Sequence, residues 1–372
     1  MAGETIVIRV SGIRIRRLWL ALPRPLDTRV GRFTHGPFLA IDLETAGGGG
    51  GRVLGFTFSR LGLTVVPPML EHLADFSRDR EITLGGMEAF HDACQKSMTL
   101  LGHEGVAQMA LSMFDMALYD ALAREAGAPL YQLLGGDRRS LVTYNSTGLG
   151  LVSAEAAARE AIELRDQHGG YAHIKMRLGR DSIGADVAAL QAVREAVGPA
   201  TQISVDFNQG LEAQSALAAC RAIDDLGLVW IEEPIVYDDY DTQRRLTAKL
   251  RTPHQTGENW WSWRVGKAAI EQGACDFVMP DILRIGGVTG WLRLARIADQ
   301  HAIPFSSHLS PDYSAHVMTV TPTAHWLEFM DWGHDVLADP LVPSQGFVRP
   351  RDAPGAGLEW NERELEKHVV AA

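Results

Sequence analysis

Cysteine is scarce in this 372-residue sequence. The three cysteines, Cys94, Cys220 and Cys275, are an odd number and lack the spacing of a metal site, so the sequence favours reduced thiols over a disulfide framework. Basic residues are also few, with 35 lysines and arginines against 46 aspartates and glutamates, and the formal net charge is −11. Because nucleic-acid-binding surfaces need a basic face, this balance argues against a nucleic-acid partner. An anionic substrate would have to be attracted by a local positive centre, such as a bound divalent cation.

Long apolar runs are missing as well. No stretch reaches the ~18 apolar residues of a membrane span. The N-terminus, MAGETIVIRVSGIRIRRLWL, alternates apolar with polar or basic residues and lacks the apolar block of a signal peptide. These patterns predict a cytoplasmic protein with no membrane partner. The run Gly47 to Gly51 lacks the GK[ST] sequence and the following helix of a phosphate-binding loop, so we interpret it as a flexible hairpin turn.

The first third of the chain predicts strands followed by helices. Alternation of apolar and polar residues predicts strands near residues 5–20, 37–46 and 53–60, with a loop containing Pro23 and Pro25 between the first two. Residues 64–133 show apolar positions at helical spacing, most densely over 105–136, where the predicted helix has to be largely buried.

A different pattern, of short apolar runs each followed by a helical stretch, begins at Val142. Counting VTYNST, eight such runs are present, and seven of them end in a charged or polar residue 20 to 31 residues after the one before. These residues are Lys175/Arg177, Asp206, Glu232, Glu258, Asp281, His308 and Glu328. Alternating strands and helices in this number predict a barrel of parallel strands, in which chemistry is located at the carboxyl ends of the strands.

Three carboxylates close successive strands of this predicted barrel: Asp206, Glu232 and Glu258. Without a positive charge between them, these three carboxylates would repel one another. Mg²⁺ prefers oxygen ligands and retains positions for water or a substrate oxygen, so the triad predicts a magnesium site. The alternative is that these acids form salt bridges with arginines of nearby loops.

A histidine and an aspartate close the next strands. A carboxylate bonded to one imidazole nitrogen fixes the tautomer and raises the basicity of the other, so Asp281 and His308 would form a base dyad. A structural histidine is the alternative.

Lys175 and Arg177 lie two residues apart and face the same side of a strand. They would stabilise an oxyanion, or pair with the acids. Glu328 would donate a hydrogen bond if protonated, or would accept backbone hydrogen bonds in the core.

These segments resemble the enolase superfamily, specifically its mandelate racemase subgroup, over essentially the whole chain. The residues that carry the resemblance are VDFNQ (205–209), WIEEP (230–234), GENW (257–260), MPDILRIGGVTGW (279–291), PFSSHLS (304–310) and TPTAHWLE (321–328). The helix MFDMALYDALAREAGAPLYQLLGG matches more loosely.

The resemblance implies an α/β fold: a modified (β/α)7β TIM-type barrel with an α+β capping domain. We expect the cap at 1–133, the barrel at 134–330 and a tail at 331–372 that returns to the cap. The resemblance also implies one Mg²⁺ per subunit on Asp206, Glu232 and Glu258, and homo-oligomers. Further implied roles are a His308–Asp281 base, a hydrogen bond from Glu328 to the substrate carboxylate, stabilisation of an enediolate by Lys175 and Asn208, and carboxylate binding by Ser146.

One departure from the subgroup concerns the second barrel strand. Racemases of the subgroup carry Lys-x-Lys there, and the second lysine is a base, whereas this chain has Lys175-Met176-Arg177. Arginine stays protonated, with a pKa above ~12. Members that use mainly the histidine are acid-sugar dehydratases, in which one residue removes the α-proton and then protonates the departing β-hydroxyl. The sequence therefore favours dehydration of a sugar acid to a 2-keto-3-deoxy acid.

Two other functions stay open. The first is racemisation or epimerisation of a 2-hydroxy acid, and the second is a catalytically degenerate, metal-binding paralogue. The polar and basic loop around Thr28 to His35 favours a polyhydroxylated substrate, because an aryl substrate would need an apolar lid. Arg29, His35 and Trp260 are therefore candidate contacts for a small carboxylic acid. Trp260, with Trp261 and Trp263, either lines the pocket or fills a subunit interface.

Overall fold

An antiparallel sheet and a parallel barrel organise the residues that the computed structural model describes, 6–371. The strands are β1 Val7–Ile8, β2 Val10–Thr28, β3 Gly31–Thr45, β4 Gly50–Phe56, β5 Ile82–Thr83, β6 Leu141–Asn145, β7 His173–Arg177, β8 Gln202–Asp206, β9 Ile231–Glu232, β10 His254–Thr256, β11 Phe277–Val278, β12 Leu327–Phe329 and β13 Phe347–Val348. The helices are α1 Gly62–Ser77, α2 Met87–Ser97, α3 Val106–Glu125, α4 Leu130–Leu133, α5 Ala154–Asp166, α6 Ile183–Val197, α7 Ala213–Arg221, α8 Tyr240–Lys249, α9 Trp263–Glu271, α10 Gly287–Gln300, α11 Pro311–Met318 and α12 Glu362–Lys367.

The cap contains the antiparallel sheet β2-β3-β4. The loop predicted around Pro23 and Pro25 is wrong, since β2 continues to Thr28 before the chain turns into β3. A register shift between Ala21 and Leu26 explains the difference, because a bulge there accommodates two residues that cannot donate to the ladder. Thr5, where the first strand was predicted to start, lies outside the described residues.

Helix α3 packs closely against this sheet. Seventeen of its twenty residues are buried, as its apolar pattern predicted. The glycine run forms the predicted turn between β3 and β4, and it also lets the helix approach. A Cβ on Gly51 would lie 1.9 Å from the backbone oxygen of Ala117, so a larger residue there would push α3 away from the sheet.

The barrel is formed by parallel strands in the order β11-β10-β9-β8-β7-β6-β12. The predicted strand PFSSH is present only as isolated parallel bridges, in which Phe305 pairs with Val278 and Ala324, and His308 pairs with Asp281. These bridges connect β11 to the segment that leads into β12, and so complete the ring. The predicted TIM-type barrel with an α+β cap is confirmed, whereas the boundaries after residues 133 and 330 stay predictions.

The C-terminal tail contacts both parts of the molecule. Strand β13 pairs with β6 of the barrel. Further along, Trp360 Nε1 donates to Asp42 Oδ1 of β3 over 2.7 Å, and Val370 N donates to the backbone oxygen of Arg17 in β2 over 2.9 Å. Between residues 6 and 371, no helix has the length and apolar character required to cross a membrane.

Candidate active site

Three carboxylates meet at one side of the barrel mouth. Asp206 and Glu232 are the last residues of β8 and β9 and are paired in register, and Glu258 follows β10 by two residues. One oxygen from each of the three lies within 4.8 Å of the others. Parallel neighbouring strands that end at equal register explain this convergence, which the sequence spacing predicted.

Lys175 supplies positive charge to this cluster. Its Nζ lies 2.6 Å from Glu232 Oε1, 2.9 Å from Glu328 Oε1 and 3.5 Å from Asp206 Oδ2. Burial opposes the charge on this ammonium, but the surrounding carboxylates outweigh burial and raise the pKa of Lys175 above its ordinary value. The side chain is therefore a cation, and pairing with the acids, which the sequence left open, is what the structure shows.

The remaining polar groups around the triad hold its carboxylates in place. Asn208 donates from its backbone N to Asp206 Oδ1 over 2.7 Å and from Nδ2 to Asp206 Oδ2 over 2.8 Å. Trp230 Nε1 donates to Glu232 Oε2 over 3.0 Å. Asn208 Oδ1 is buried, without a hydrogen-bond partner in the described part of the chain. A set of hard oxygen donors suits Mg²⁺, and Asp206, Glu232 and Glu258 would hold it.

His308 and Asp281 lie opposite each other across a parallel bridge. Asp281 Oδ2 is 2.8 Å from Nδ1 of His308, and Asp281 Oδ1 accepts a hydrogen bond from Leu283 N over 2.7 Å. With Nδ1 held by the carboxylate, Nε2 of His308 faces the cavity, 3.2 Å from Glu258 Oε2. Burial acts to lower the pKa of this ring, but the carboxylates around it outweigh burial and raise the pKa to about 9.

Glu328 differs from the protonated donor that the sequence suggested. Its Oε2 accepts a hydrogen bond from Leu309 N over 2.9 Å, while Lys175 contacts Oε1. Burial acts to raise its pKa, but Lys175 and His308 outweigh burial and hold the pKa of Glu328 well below its ordinary value. The structure thus agrees with the alternative, a buried carboxylate that accepts a backbone hydrogen bond, with an ammonium beside it, while the hydrogen bond from Glu328 to the substrate carboxylate stays a prediction.

Arg177 is held by backbone oxygens. Its Nη1 donates to the backbone oxygens of Ser146 and Gly148 over 2.8 and 2.7 Å, and its Nη2 donates to Ser146 Oγ over 2.8 Å. Ser146 is fully buried and does not line the cavity. The prediction that Ser146 contacts the substrate carboxylate is therefore wrong for this structure, since its hydroxyl already accepts from Arg177.

Three other predicted contacts lie away from the cavity. Trp260 is fully buried in the hydrophobic core. This burial excludes both hypotheses for Trp260, that it lines the pocket and that it fills a subunit interface. His35 stacks on Trp19 with ring centres 5.3 Å apart. Arg29 is exposed and donates to the backbone oxygens of Gly179 and Gly210 over 3.3 and 3.4 Å, so it joins the β2–β3 turn to the barrel.

A cavity of about 380 Å³ opens beside the polar cluster. Its polar side is formed by Lys175, Arg177, Asp206, Asn208, Gln209, Glu258, Asn259, Arg284, His308 and Glu328. Its other side is formed by seven apolar side chains, which we call the apolar lid: Leu26, Val30, Phe33, Phe56, Phe58, Met330 and Trp332.

The expectation of a polar and basic lid is wrong. At the β2–β3 turn, the side chains that line the cavity are Leu26, Thr28, Val30 and Phe33, while the arginines between them point elsewhere. Alternation along β2 places Leu26 and Thr28 on one face, and that period of two is a signal in the sequence that could have revealed the lid.

Two further residues were missed at the sequence level. The Arg284 guanidinium lines the cavity and stacks on Phe58, 3.6 Å from its ring centre, and Nη1 donates to the backbone oxygen of Glu258 over 3.0 Å. Glu233 is buried and accepts from Asn259 Nδ2 over 2.6 Å, and burial raises its pKa to about 8. Both lie next to predicted site residues in the sequence, but neither ends a strand, so strand-end spacing did not reveal them.

Comparison with known proteins gives family matches over most of the chain. Residues 156–364 match the model described as enolase C-terminal domain-like, and residues 13–135 match the mandelate racemase / muconate lactonizing enzyme N-terminal domain. L-talarate/galactarate dehydratase of Salmonella typhimurium strain LT2 is 32% identical over 264 residues, which cover 71% of this chain and 66%, just under two thirds, of that enzyme.

Two solved structures are similar over nearly the full length. An enolase from alpha pretobacterium bal199 with bound Mg has a TM-score of 0.94 and 41% identity, covering 98% of this chain and 100% of its own. An enolase from Bradyrhizobium complexed with magnesium and mandelic acid has a TM-score of 0.92 and 35% identity, covering 99% and 100%. The bound magnesium of these structures agrees with the oxygen donors of the triad, and Mg²⁺ is the cofactor. The chain is therefore an enzyme of the enolase superfamily, in its mandelate racemase and muconate lactonizing enzyme group.

Proposed function

We propose that the protein dehydrates a 2,3-dihydroxy carboxylic acid of the sugar-acid class to the 2-keto-3-deoxy acid. The observation that carries this proposal is the arrangement of groups able to move a proton. His308 presents Nε2 to the cavity with Nδ1 held by Asp281. Arg177, which stands where a racemase would carry its second base, has both terminal nitrogens engaged and stays protonated.

His308 acts twice in the proposed reaction. In the neutral form of the ring, Nε2 removes the proton from the carbon next to the substrate carboxylate, and the electron pair moves into the carboxylate to give an enediolate. Mg²⁺ bound at the triad supplies positive charge that stabilises this dianion. The imidazolium of His308 then protonates the β-hydroxyl, which leaves as water. The resulting enol takes up a proton at C3 and loses one from its hydroxyl, which gives the 2-keto acid.

The other residues bind and orient the substrate. Lys175 contributes a buried cation on the polar side of the cavity, where it would hold an oxygen of the carboxylate. Asn208 and Asp281 keep the triad and the base in fixed positions. Fixed donors of this kind stabilise developing charge without reorganisation, which is the largest contribution in many enzymes.

A racemase of 2-hydroxy acids is the second candidate. Two observations favour it: the apolar lid, and the mandelic acid bound to the Bradyrhizobium neighbour. Racemisation requires a base on each face of the substrate, and Arg177 is a poor base.

A degenerate metal-binding protein is the third candidate function, and it would bind Mg²⁺ without turnover. Homo-oligomer formation and a cytoplasmic location stay predictions.

Turnover in D₂O separates these functions. The Mg²⁺-loaded protein is incubated with diastereomeric 2,3-dihydroxy acids, including aldonic and aldaric acids, and with 2-hydroxy acids that lack a β-hydroxyl. Release of 2-keto acid, lost in His308→Asn, supports dehydration. Inversion at C2 with incorporated deuterium and no 2-keto acid would establish the racemase. No reaction across the panel, with tight Mg²⁺ binding, would establish the degenerate protein.

A further inference from the structure

The apolar lid is composed of side chains from three separate segments. Leu26, Val30 and Phe33 come from the β2–β3 turn, Phe56 and Phe58 from the end of β4, and Met330 and Trp332 from the segment after β12. The aromatic members contact one another: ring centres are 4.7 Å apart for Phe56 and Phe58, and 5.5 Å apart for Phe56 and Trp332. Phe56, Phe58 and Trp332 thus form one connected aromatic cluster within the lid.

The reacting end of the substrate belongs on the opposite side. Asp206, Glu258, Lys175 and His308 line the polar side, and Glu232 contacts Lys175, so the carboxylate, C2 and C3 have to lie there. Whatever extends beyond C3 is then directed towards the lid. Thr28 is the polar side chain that the turn contributes to the cavity, and it is uncharged.

The two arginines of the β2–β3 turn contact other groups and do not face the cavity. Arg29 donates to the backbone oxygens of Gly179 and Gly210, and the Arg32 guanidinium lies 3.7 Å from the carboxylate of Asp27. Neither residue lines the cavity. Arg284 does line the cavity: one face of its guanidinium lies against Phe58, Nη1 donates to the backbone oxygen of Glu258 and to Asn259 Oδ1, and Nε has no hydrogen-bond partner among the described residues.

We propose that the substrate is a monocarboxylic acid whose far end, beyond C3, is uncharged and apolar, such as a methyl, alkyl or aryl terminus. This inference rests on the proposed function for the 2,3-diol, but the preference for an apolar end concerns binding and is tested separately. A second carboxylate, as in an aldaric acid, would lose its water against the seven side chains of the lid, none of which offers it a hydrogen bond. An apolar end would gain contacts, and one methylene in such a pocket changes discrimination by about 10- to 200-fold.

Binding of two acids that cannot be dehydrated tests the preference. 2-Hydroxyhexanoate and 2-hydroxyadipate have the same six-carbon chain and differ in ending in a methyl group or a carboxylate. Both lack a β-hydroxyl. Titration calorimetry on the Mg²⁺-loaded protein is expected to give a Kd at least about tenfold lower for 2-hydroxyhexanoate. Equal affinities, or tighter binding of 2-hydroxyadipate, would overturn the inference.

Three variants identify the side chains responsible. Phe33→Arg places a cation in the lid and is expected to shift the affinity ratio towards 2-hydroxyadipate, whereas the matched Phe33→Leu should keep the parent's preference. If the parent prefers 2-hydroxyadipate and Arg284→Met abolishes that preference, then Arg284 binds the second carboxylate and the inference is wrong.

Turnover provides the second measurement. Each 6-deoxyaldonic acid is compared with the aldaric acid of the same configuration at C2 to C5, and the deoxy acid is expected to show a kcat/KM at least about tenfold higher. A binding preference for 2-hydroxyhexanoate without release of 2-keto acid from any diol would overturn the dehydration and leave this inference standing. Release of 2-keto acid with the opposite preference would overturn this inference alone.

Discussion

Ser146 accepts two hydrogen bonds of 2.8 Å from Arg177, one at its backbone oxygen from Nη1 and one at Oγ from Nη2. Both residues are buried, so the serine fixes the plane of a guanidinium on the polar side of the cavity. Ser146 therefore positions a neighbouring cation.

Ser146→Ala should therefore destabilise the protein. It removes one acceptor from a buried charged donor, and an unsatisfied group of this kind costs about 1–3 kcal/mol. Chemical denaturation measures the free energy of unfolding. Ser140→Ala, at an exposed position, is the control and should lie within about 0.5 kcal/mol of the parent. Equal stability of the two variants would contradict the role given to Oγ.

The dyad of His308 and Asp281 should behave as one unit. His308→Asn is expected to lower kcat/KM by about 10²- to 10⁴-fold, since it removes the general base. Asp281→Asn should lower kcat/KM by a comparable factor, because the imidazole of His308 loses the partner that fixes its tautomer. The double variant should be no slower than the worse single variant. If the losses in kcat/KM of the two single variants multiply in the double variant, the two residues act independently. Asp299→Asn, at an exposed position, is the control.

Much of this site follows from position along the strands. Asp206, Glu232 and Glu258 were predictable because parallel strands bring equal registers to one edge, and the same reasoning paired His308 with Asp281. The direction of a side chain at a turn has no such regularity. Arg29 and His35 were assigned to the pocket because they lie at its edge in sequence, yet hydrogen bonds to Gly179 and Gly210 direct Arg29 away.

Burial was a second source of error. Trp260 follows Glu258 by two residues, and its position in the sequence suggested a pocket wall. In the structure it fills the core, fully buried. Phe58 was not predicted because it adopts a φ of 60° after the end of β4, where strand alternation no longer determines which way a side chain faces.

Removal of magnesium should destabilise the folded protein. Binding to the folded state alone stabilises it by about 2.7 kcal/mol when the free ion is at 100 times its Kd. Thermal unfolding with Mg²⁺ and with EDTA is expected to show a higher Tm with the metal. Glu258→Gln removes one oxygen anion from the triad and should weaken binding and reduce this shift. Glu195→Gln, at an exposed position on α6, should keep it. A shift of the same size in both variants would argue against the triad as the site.

Stability should fall between pH 6.5 and pH 4, in part because of His254. Burial lowers the pKa of His254 to about 4, against about 6.5 in the unfolded chain. Over this range the unfolded chain binds a proton that the folded chain does not. The contribution of the neutral His254 ring to the free energy of unfolding is therefore fully present above pH 6.5. About 3 kcal/mol of it is lost as the pH falls towards 4.

The variant His254→Gln has no imidazole to protonate. Its free energy of unfolding should therefore fall less steeply than the parent's as the pH is lowered from 6.5 to 4. The free energy of unfolding is measured by denaturant titration at each pH, and the slopes of the variant and the parent are compared. His301→Gln, at an exposed position, should retain the parent's slope. A slope unchanged in His254→Gln would show that the buried ring does not control stability in this range.

The pairing of the tail with β2 has a consequence for how the protein is made. Trp19 N donates to the backbone oxygen of His368, and Val370 N donates to that of Arg17. This edge of β2 therefore finds its partner in a segment that follows the whole barrel along the chain. During synthesis that edge stays unpaired until residues 368–370 have been made, so the cap sheet is completed only after all of the barrel strands have been translated.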